Sequence, residues 1–230
     1  MSWMEVFKIN NNIRKPLNSL IVDSTYNPIR VVTVSTTYIP ERSGLYRVIC
    51  VGAGGDSIVK TSGSYAYCSG GGGGGVAIKD LYLTKSSSYN ITVSTTASFA
   101  NQLTATAGAT PTINTSTGAW GYPTGGTATG GDKNYTGQQG VYERITRTDA
   151  GASFDGGSVG VDIADLTRQR ISNDTRGNQL TYGRSILNYG GGAPASDTSY
   201  VNSEGSAVKR TFTNFGLPAA VIIIPIEMED

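Results

Sequence analysis

The sequence predicts a mainly β protein: an antiparallel, sandwich-like framework with packed polyglycine-type segments, long loops and at most one short helix. Three observations carry this. Glycine accounts for 31 of 230 residues, nearly twice the average share of about 7%. β-Branched apolar runs bracket the glycine tracts, and such runs suit a pleated, half-buried surface. Charged residues make up only 15% of the chain, against about 25% in ordinary proteins, with Ser, Thr, Asn and Gly in their place.

Taken in order, Glu5–Ile9 alternates polar and apolar residues as a strand does, and Asn10–Asn12 reads as a turn. Leu17–Val22 is a second short strand candidate. The apolar residues Trp3, Phe7, Ile9 and Ile13 of this lead have one use, docking onto something, so residues 1–31 read as an attachment segment. Residues 32–230 read as a glycine-rich β domain. Arg30–Val34 is β-branched, Thr36–Pro40 ends in a breaker, and Gly44–Val51 alternates as a half-buried strand before Gly52-Ala53-Gly54-Gly55. Six consecutive glycines, Gly70–Gly75, lead into strands at Val76–Leu83, Tyr89–Ser94 and Gln102–Ala107. From Gly108 to Gly216 the chain is turn-rich, with a short helix expected at Asp162–Ile171, capped by Asp162. Ala219–Ile226 is apolar on both faces, as a central buried strand is.

A loop region this long must still satisfy its backbone N–H and C=O groups. Glycine segments offer the means. Without side chains, extended left-handed strands pack closely and bond laterally, N–H to C=O, with Cα–H···O contacts in support. Gly52, Gly54, Gly55, Gly70, Gly71, Gly72, Gly73, Gly74, Gly75, Gly190, Gly191 and Gly192 are the candidate structural glycines, and the loops between them are held as a display. No strict three-residue period exists, which excludes collagen.

Composition and motifs exclude several function classes. The net charge is +1 with no basic patch, so the footprint of a nucleic-acid binder is missing. The longest apolar stretch, Leu217–Ile226, is far shorter than the ~20 residues of a membrane-spanning helix. Met1–Asn10 lacks a signal-peptide apolar region, so the chain is expected to start in a cytoplasm. There is no histidine, which removes Ser-His-Asp and Cys-His nucleophilic systems and His-ligated zinc. With two cysteines, Cys50 and Cys68, a Cys-rich metal site is also out, and their pairing is left open. Val51–Ser57 follows a strand and invites a dinucleotide-binding reading. However, Ser57 stands at the third glycine position and residues 58–69 do not read as the helix that would hold a pyrophosphate. Asp162 with Asp165, or Glu143 with Asp149, could form a carboxylate pair for glycoside hydrolysis, but caps and solvated loop charges account for them better. The expectation is a protein that is not an enzyme, with no catalytic residues, no metal and no cofactor.

Aromatic residues carry the stronger signal. There are 13 tyrosines against 5 phenylalanines and 2 tryptophans, many between the glycine tracts: Tyr65, Tyr67, Trp120, Tyr122, Tyr135, Tyr142, Tyr182, Tyr189 and Tyr200. Tyrosine with Ser, Gly and Asn gives large contact area at small entropic cost, as in antibody-like recognition loops. The same rings could instead pad a glycine-rich core. Tyr65, Tyr67, Trp120, Tyr122, Tyr142, Tyr182 and Tyr189 are the candidate receptor contacts. Arg144, Arg147, Arg168, Arg170, Arg176 and Arg184 could pair with phosphate or carboxylate, or with the interleaved acids Glu143, Asp149, Asp162, Asp165 and Asp174.

Thr36–Pro40, Gly44-Leu45, Tyr46–Val51, Gly52–Gly55 and Gly70–Gly75 follow one another as in a glycine-rich domain of bacteriophage tail-fibre and related virion proteins, which the sequence resembles. Val76-Ala77-Ile78, Tyr89–Val93, Leu103–Gly108, Asn134–Gly137 with Gly140, Tyr189–Gly192 and Val221–Ile226 continue the match, over roughly residues 32–226. The chain departs from the pattern in its long insertion 141–188. The resemblance implies a β framework with packed glycine segments on a virion, often at a tip where loops meet a host receptor. The expected function is a tail-fibre or adhesin protein binding a host surface glycan or outer-membrane protein. It would be attached to other virion proteins through residues 1–30, homotrimeric by analogy with fibres, without nucleic acid or membrane insertion. The alternative is a structural virion protein, such as a capsid decoration or head-fibre protein.

Overall fold

Alternation of apolar residues decides which stretches pair as strands, and the breakers between them decide how the strands are grouped. The computed structural model describes residues 29–62, 65–146, 152–154, 156–159, 170–173, 179–181, 185–187, 189–201, 207–213 and 215–229. Among these there are strands and no helix. The strands are β1 (Arg30–Val32), β2 (Thr36–Tyr38), β3 (Gly44–Val51), β4 (Ile58–Ser62), β5 (Tyr65–Ser69), β6 (Val76–Leu83), β7 (Tyr89–Val93), β8 (Ala97–Phe99), β9 (Leu103–Ala105) and β10 (Thr112–Asn114). They continue with β11 (Ala119–Gly121), β12 (Ala128–Thr129), β13 (Lys133–Tyr135), β14 (Tyr142–Thr146), β15 (Ala152–Phe154), β16 (Arg170–Asn173), β17 (Gln179–Thr181), β18 (Ala195–Val201), β19 (Ala207–Phe212) and β20 (Ala220–Met228).

Two five-stranded antiparallel sheets form the framework, in the orders β1-β20-β3-β6-β13 and β2-β7-β8-β9-β12. The chain runs directly from β1 to β2 and from β12 to β13, so covalent connections join the two sheets along both sides. This limits the exposed edges that would otherwise invite intermolecular pairing. Between the sheets lies the main core. Tyr46, Val48 and Cys50 of β3, Val221 and Ile223 of β20, and Ala77 and Leu83 of β6 meet Ile91, Ala97, Phe99, Leu103 and Ala105. The alternate residues of the same strands, Ile49, Val51, Val76 and Ile222, pack on the outer face against Val159 and Ile186. The first sheet is therefore buried on both faces near its glycine end. That corrects the half-buried expectation for Gly44–Val51 and bears out the two-sided apolar reading of the closing strand.

Cys50 and Cys68 are both buried and unbonded to each other. Burial pushes the Cys50 thiol up to about 12. Arg47 and Asp80, directly opposite across β3 and β6, form a two-point ion pair at 2.7 and 2.6 Å, the geometry in which a guanidinium and a carboxylate bond best.

The helix expected at Asp162–Ile171 lies outside the described residues, except that Arg170 and Ile171 stand on strand β16. The strand candidates at Glu5–Ile9 and Leu17–Val22, and the attachment residues Trp3, Phe7 and Ile9, also lie outside them.

Candidate functional site

Eight tracts without regular strand or helix hydrogen bonding, 52–55, 70–75, 106–109, 123–127, 137–140, 156–159, 190–193 and 216–219, extend from the end of the sandwich. The tract 70–75 is their centre. Its N–H groups leave in three directions with a period of three residues. Gly70 and Gly73 donate to the carbonyls of Val141 and Gln138 (2.9 and 2.9 Å), Gly71 and Gly74 to Ala193 and Gly190 (2.8 and 2.7 Å), and Gly72 and Gly75 to Ala109 and Thr106 (3.0 and 3.0 Å). Its carbonyls accept in return: Gly75 and Gly72 from Gly52 and Gly55, Gly73 from Gly126, and Gly71 from Gly157. Six neighbours thus surround one tract, and the three-residue period is that of a left-handed extended helix with no internal hydrogen bonds. The eighth tract joins on the outside, where the Gly54 N–H donates to Leu217 and the Leu217 N–H to Gly191, both at 2.8 Å.

Sterics explain the glycines. A Cβ on Gly71, Gly72, Gly73, Gly74 or Gly75 would land on the carbonyl oxygen of Gly55, Thr124, Ser158, Gly52 or Thr127, respectively. The same holds for Gly52 against Thr106, Gly54 against Gly191, Gly55 against Ala109, and Gly192 against Gly71. Gly190 adds a backbone requirement, with φ of 81°, and a Cβ there would meet side-chain carbons of Val51 and Val159 at 2.7 Å. Gly70 and Gly191 take part through their hydrogen bonds. Sequence reasoning missed the scattered members Gly108, Gly126, Gly137, Gly140, Gly156, Gly157 and Gly216, each of which abuts another tract's carbonyl in the same way. Gly137 and Gly140 carry a readable signal: they stand three apart, as residues must to face one side of a three-residue turn.

Successive tracts run in opposite directions, so the connections sort to two poles. At the framework pole are the strands of the sandwich, with Val159 and Ile186 in the outer-face cluster. At the distal pole, among the described residues, are 56–62, 65–69, 110–122, 141–146, 152–154, 194–201, 207–213 and 215. There β14-β5-β4 form one three-stranded sheet, β15-β18-β19 another, and β10-β11 a hairpin. Asp56 ties two of the tracts at this pole, accepting from the Gly216 N–H at 2.8 Å while its own N–H donates to Thr110 Oγ1 at 3.0 Å.

The candidate receptor contacts divide accordingly. Tyr65 is 42% exposed and Tyr122 55% exposed at the distal pole. Tyr142, on β14, stacks obliquely on Tyr122 with ring centroids 5.2 Å apart. The Arg144 guanidinium lies 4.6 Å above the Tyr65 ring, an attraction between the cation and the negative ring face. Tyr67 is a correction: it is only 5% exposed. It lies under the β10–β11 hairpin, where a Cβ on Gly118 would come to 4.0 Å of its hydroxyl, and it takes the padding role. Tyr189 packs partly buried against the outer-face cluster at the framework pole, which is likewise structural. Trp120 stands opposite Ile113 in the hairpin, with its side chain outside the described residues. Tyr182, and Arg147, Arg168, Arg176 and Arg184, lie outside them as well.

The contact of Arg144 with Tyr65 was not legible in sequence, because it depends on β14 pairing with β5 across a long stretch of chain. Among the described residues, no group of three or more His, Cys, Asp or Glu is placed to hold a metal ion. A family model described as a glycine-rich domain matches residues 31–216. Comparison with curated proteins returns no match.

Proposed function

This chain belongs to the glycine-rich domain family, and from that premise we propose that it is a receptor-binding protein, an adhesin of the tail-fibre kind carried on a bacteriophage particle. One observation supports this above all. The lattice brings the distal connections together and holds them from below through the backbone bonds between its tracts, and that pole exposes Tyr65, Tyr122 and Arg144. A rigid base with tyrosine-rich connections lowers the entropy lost when the loops bind. The virion setting rests on the resemblance set out above. In this reading residues 1–31 dock to other virion proteins, the particle carries homotrimers, and the distal pole meets a host surface molecule.

Labelled antibody and electron microscopy on intact particles test the reading. Label at fibre or tail tips is the expected result, together with slower adsorption after Tyr122→Ala. Label spread evenly over the head would overturn it in favour of a decoration protein.

A further inference from the structure

Directly opposed residues of antiparallel strands share a face. The registers of β4, β5 and β14 therefore put Lys60, Tyr65, Tyr67, Tyr142 and Arg144 on one side of the distal sheet. Glu143 stands opposite Cys68, on the side where Ala66 and Cys68 pack with Val59. Lys60, Glu143 and Arg144 are the charged residues of these three strands, so both cations occupy the aromatic face and the acid occupies the other. The face is half covered. Over Tyr67 lies the β10–β11 hairpin, braced where Lys60 Nζ donates to the Ile113 carbonyl at 3.3 Å. The other half carries Tyr65 and Arg144, both exposed, and Tyr142, partly exposed.

In that half Arg144 is exposed and held by the Tyr65 ring, and no described carboxylate pairs with it. A guanidinium attracted to a ring still has N–H donors for a second partner, and they suit the two oxygens of a carboxylate or phosphate. Tyr142 lies two residues along the same strand face, about 7 Å away, with Tyr122 tilted against it. Aromatic faces of this kind stack on sugar rings. Resting on the receptor-binding reading above, we infer that this half-face binds an anionic saccharide. Arg144 takes the carboxylate or phosphate, and the Tyr122–Tyr142 pair takes the adjoining sugar.

The test titrates the full chain with two charged saccharides, each beside its neutralised form. The first is polygalacturonate and its carboxyl-reduced product. The second is a lipid-free phosphorylated core oligosaccharide before and after phosphatase. The expected result is binding to one charged saccharide and at least about tenfold weaker binding to its neutralised form. Arg144→Gln falls to the same level and Arg144→Lys lies between. The saccharide that binds identifies the anion as carboxylate or phosphate. Equal binding of charged and neutral forms, no binding to either saccharide, or an unchanged Arg144→Gln overturns the inference. A parallel measurement of labelled protein on a panel of intact bacteria separates this from the wider reading. If Tyr122→Ala and Tyr142→Ala weaken cell binding and Arg144→Gln does not, the saccharide inference fails and the receptor reading stands. If none of the three matters, both fail. Unchanged urea midpoints confirm that the exposed substitutions leave the fold intact.

Discussion

Replacing Gly74 by alanine is the sharpest probe of the glycine lattice. At an ordinary site this substitution stabilises by about 0.4–1 kcal/mol, because alanine has fewer unfolded conformations to lose. Here the new methyl meets the Ala53 carbonyl oxygen at 2.8 Å and the Gly52 carbonyl oxygen closer still. Neither is a flexible side chain, so the tract itself must move. Moving it strains the bonds from Gly73 to Gln138, Gly74 to Gly190 and Gly75 to Thr106, now 2.9, 2.7 and 3.0 Å. Three such bonds are worth about 1 kcal/mol each, and overpacking adds about 1–3 kcal/mol. After the unfolded-state gain is deducted, the net loss is about 3–5 kcal/mol, a large part of the ~5–15 kcal/mol that a domain has. With a urea dependence of about 2 kcal/mol per molar, the unfolding midpoint drops by roughly 2 M. Gly118→Ala is the control. That residue, unlike Gly74, has a left-handed φ, 70°, but faces open space apart from the Tyr67 hydroxyl at 4.0 Å, so its cost is about 1 kcal/mol. Urea unfolding followed by circular dichroism measures both. A Gly74→Ala midpoint no lower than that of Gly118→Ala would refute the close-packed lattice.

Three further outcomes are expected. Tyr67→Ala costs about 3–5 kcal/mol, as removal of a buried aromatic ring does, whereas Tyr65→Ala costs no more than about 1 kcal/mol, the worth of an exposed cation–π contact; paired urea midpoints measure the difference. Tyr38 and Tyr46 sit edge to face with centroids 6.3 Å apart, and burial raises both phenols above their ordinary range. The folded state thus keeps protons that the unfolded state releases, so stability is full below about pH 10 and falls as pH rises beyond it. A urea midpoint series across that range shows the fall, and Tyr38→Phe makes it shallower. Finally, the buried Cys50 thiol reacts with a thiol reagent at pH 8 only after unfolding, at a rate that rises with urea.

How far the sequence could be read depended on the range of the interaction that decided each element. Gly44–Val51, Val76–Leu83 and Tyr89–Val93 were legible because apolar alternation is local, and two strands could be placed to within a residue. The packing of 52–55 and 70–75 was legible because a run of glycines has few other uses. The β4–β5 hairpin was not. Ile58–Ser69 is rich in Ser, Thr and Gly, and its pairing is settled by β14 from far along the chain. Tyr65 and Tyr67 show the limit within the site. They have the same chemistry and lie two residues apart on one face, yet only the one beneath the hairpin is buried. Nothing in the two side chains distinguishes them; the covering element does.

The lattice also sets the heat capacity of unfolding. Exposing apolar surface raises that quantity by about 0.45 cal/K/mol per Å², while exposing polar surface lowers it by about 0.26. When the sandwich core melts, it adds the positive term in the usual way. When the tracts around Gly70–Gly75 separate, what they expose is mostly peptide N–H and C=O, previously bonded to one another, and the two terms nearly cancel. The whole chain therefore has a heat-capacity increment below the usual ~12–15 cal/mol/K per residue, and its stability curve is broad and shallow. A protein organised in this way holds its shape over a wider span of temperature than a core-dominated domain with the same maximal stability.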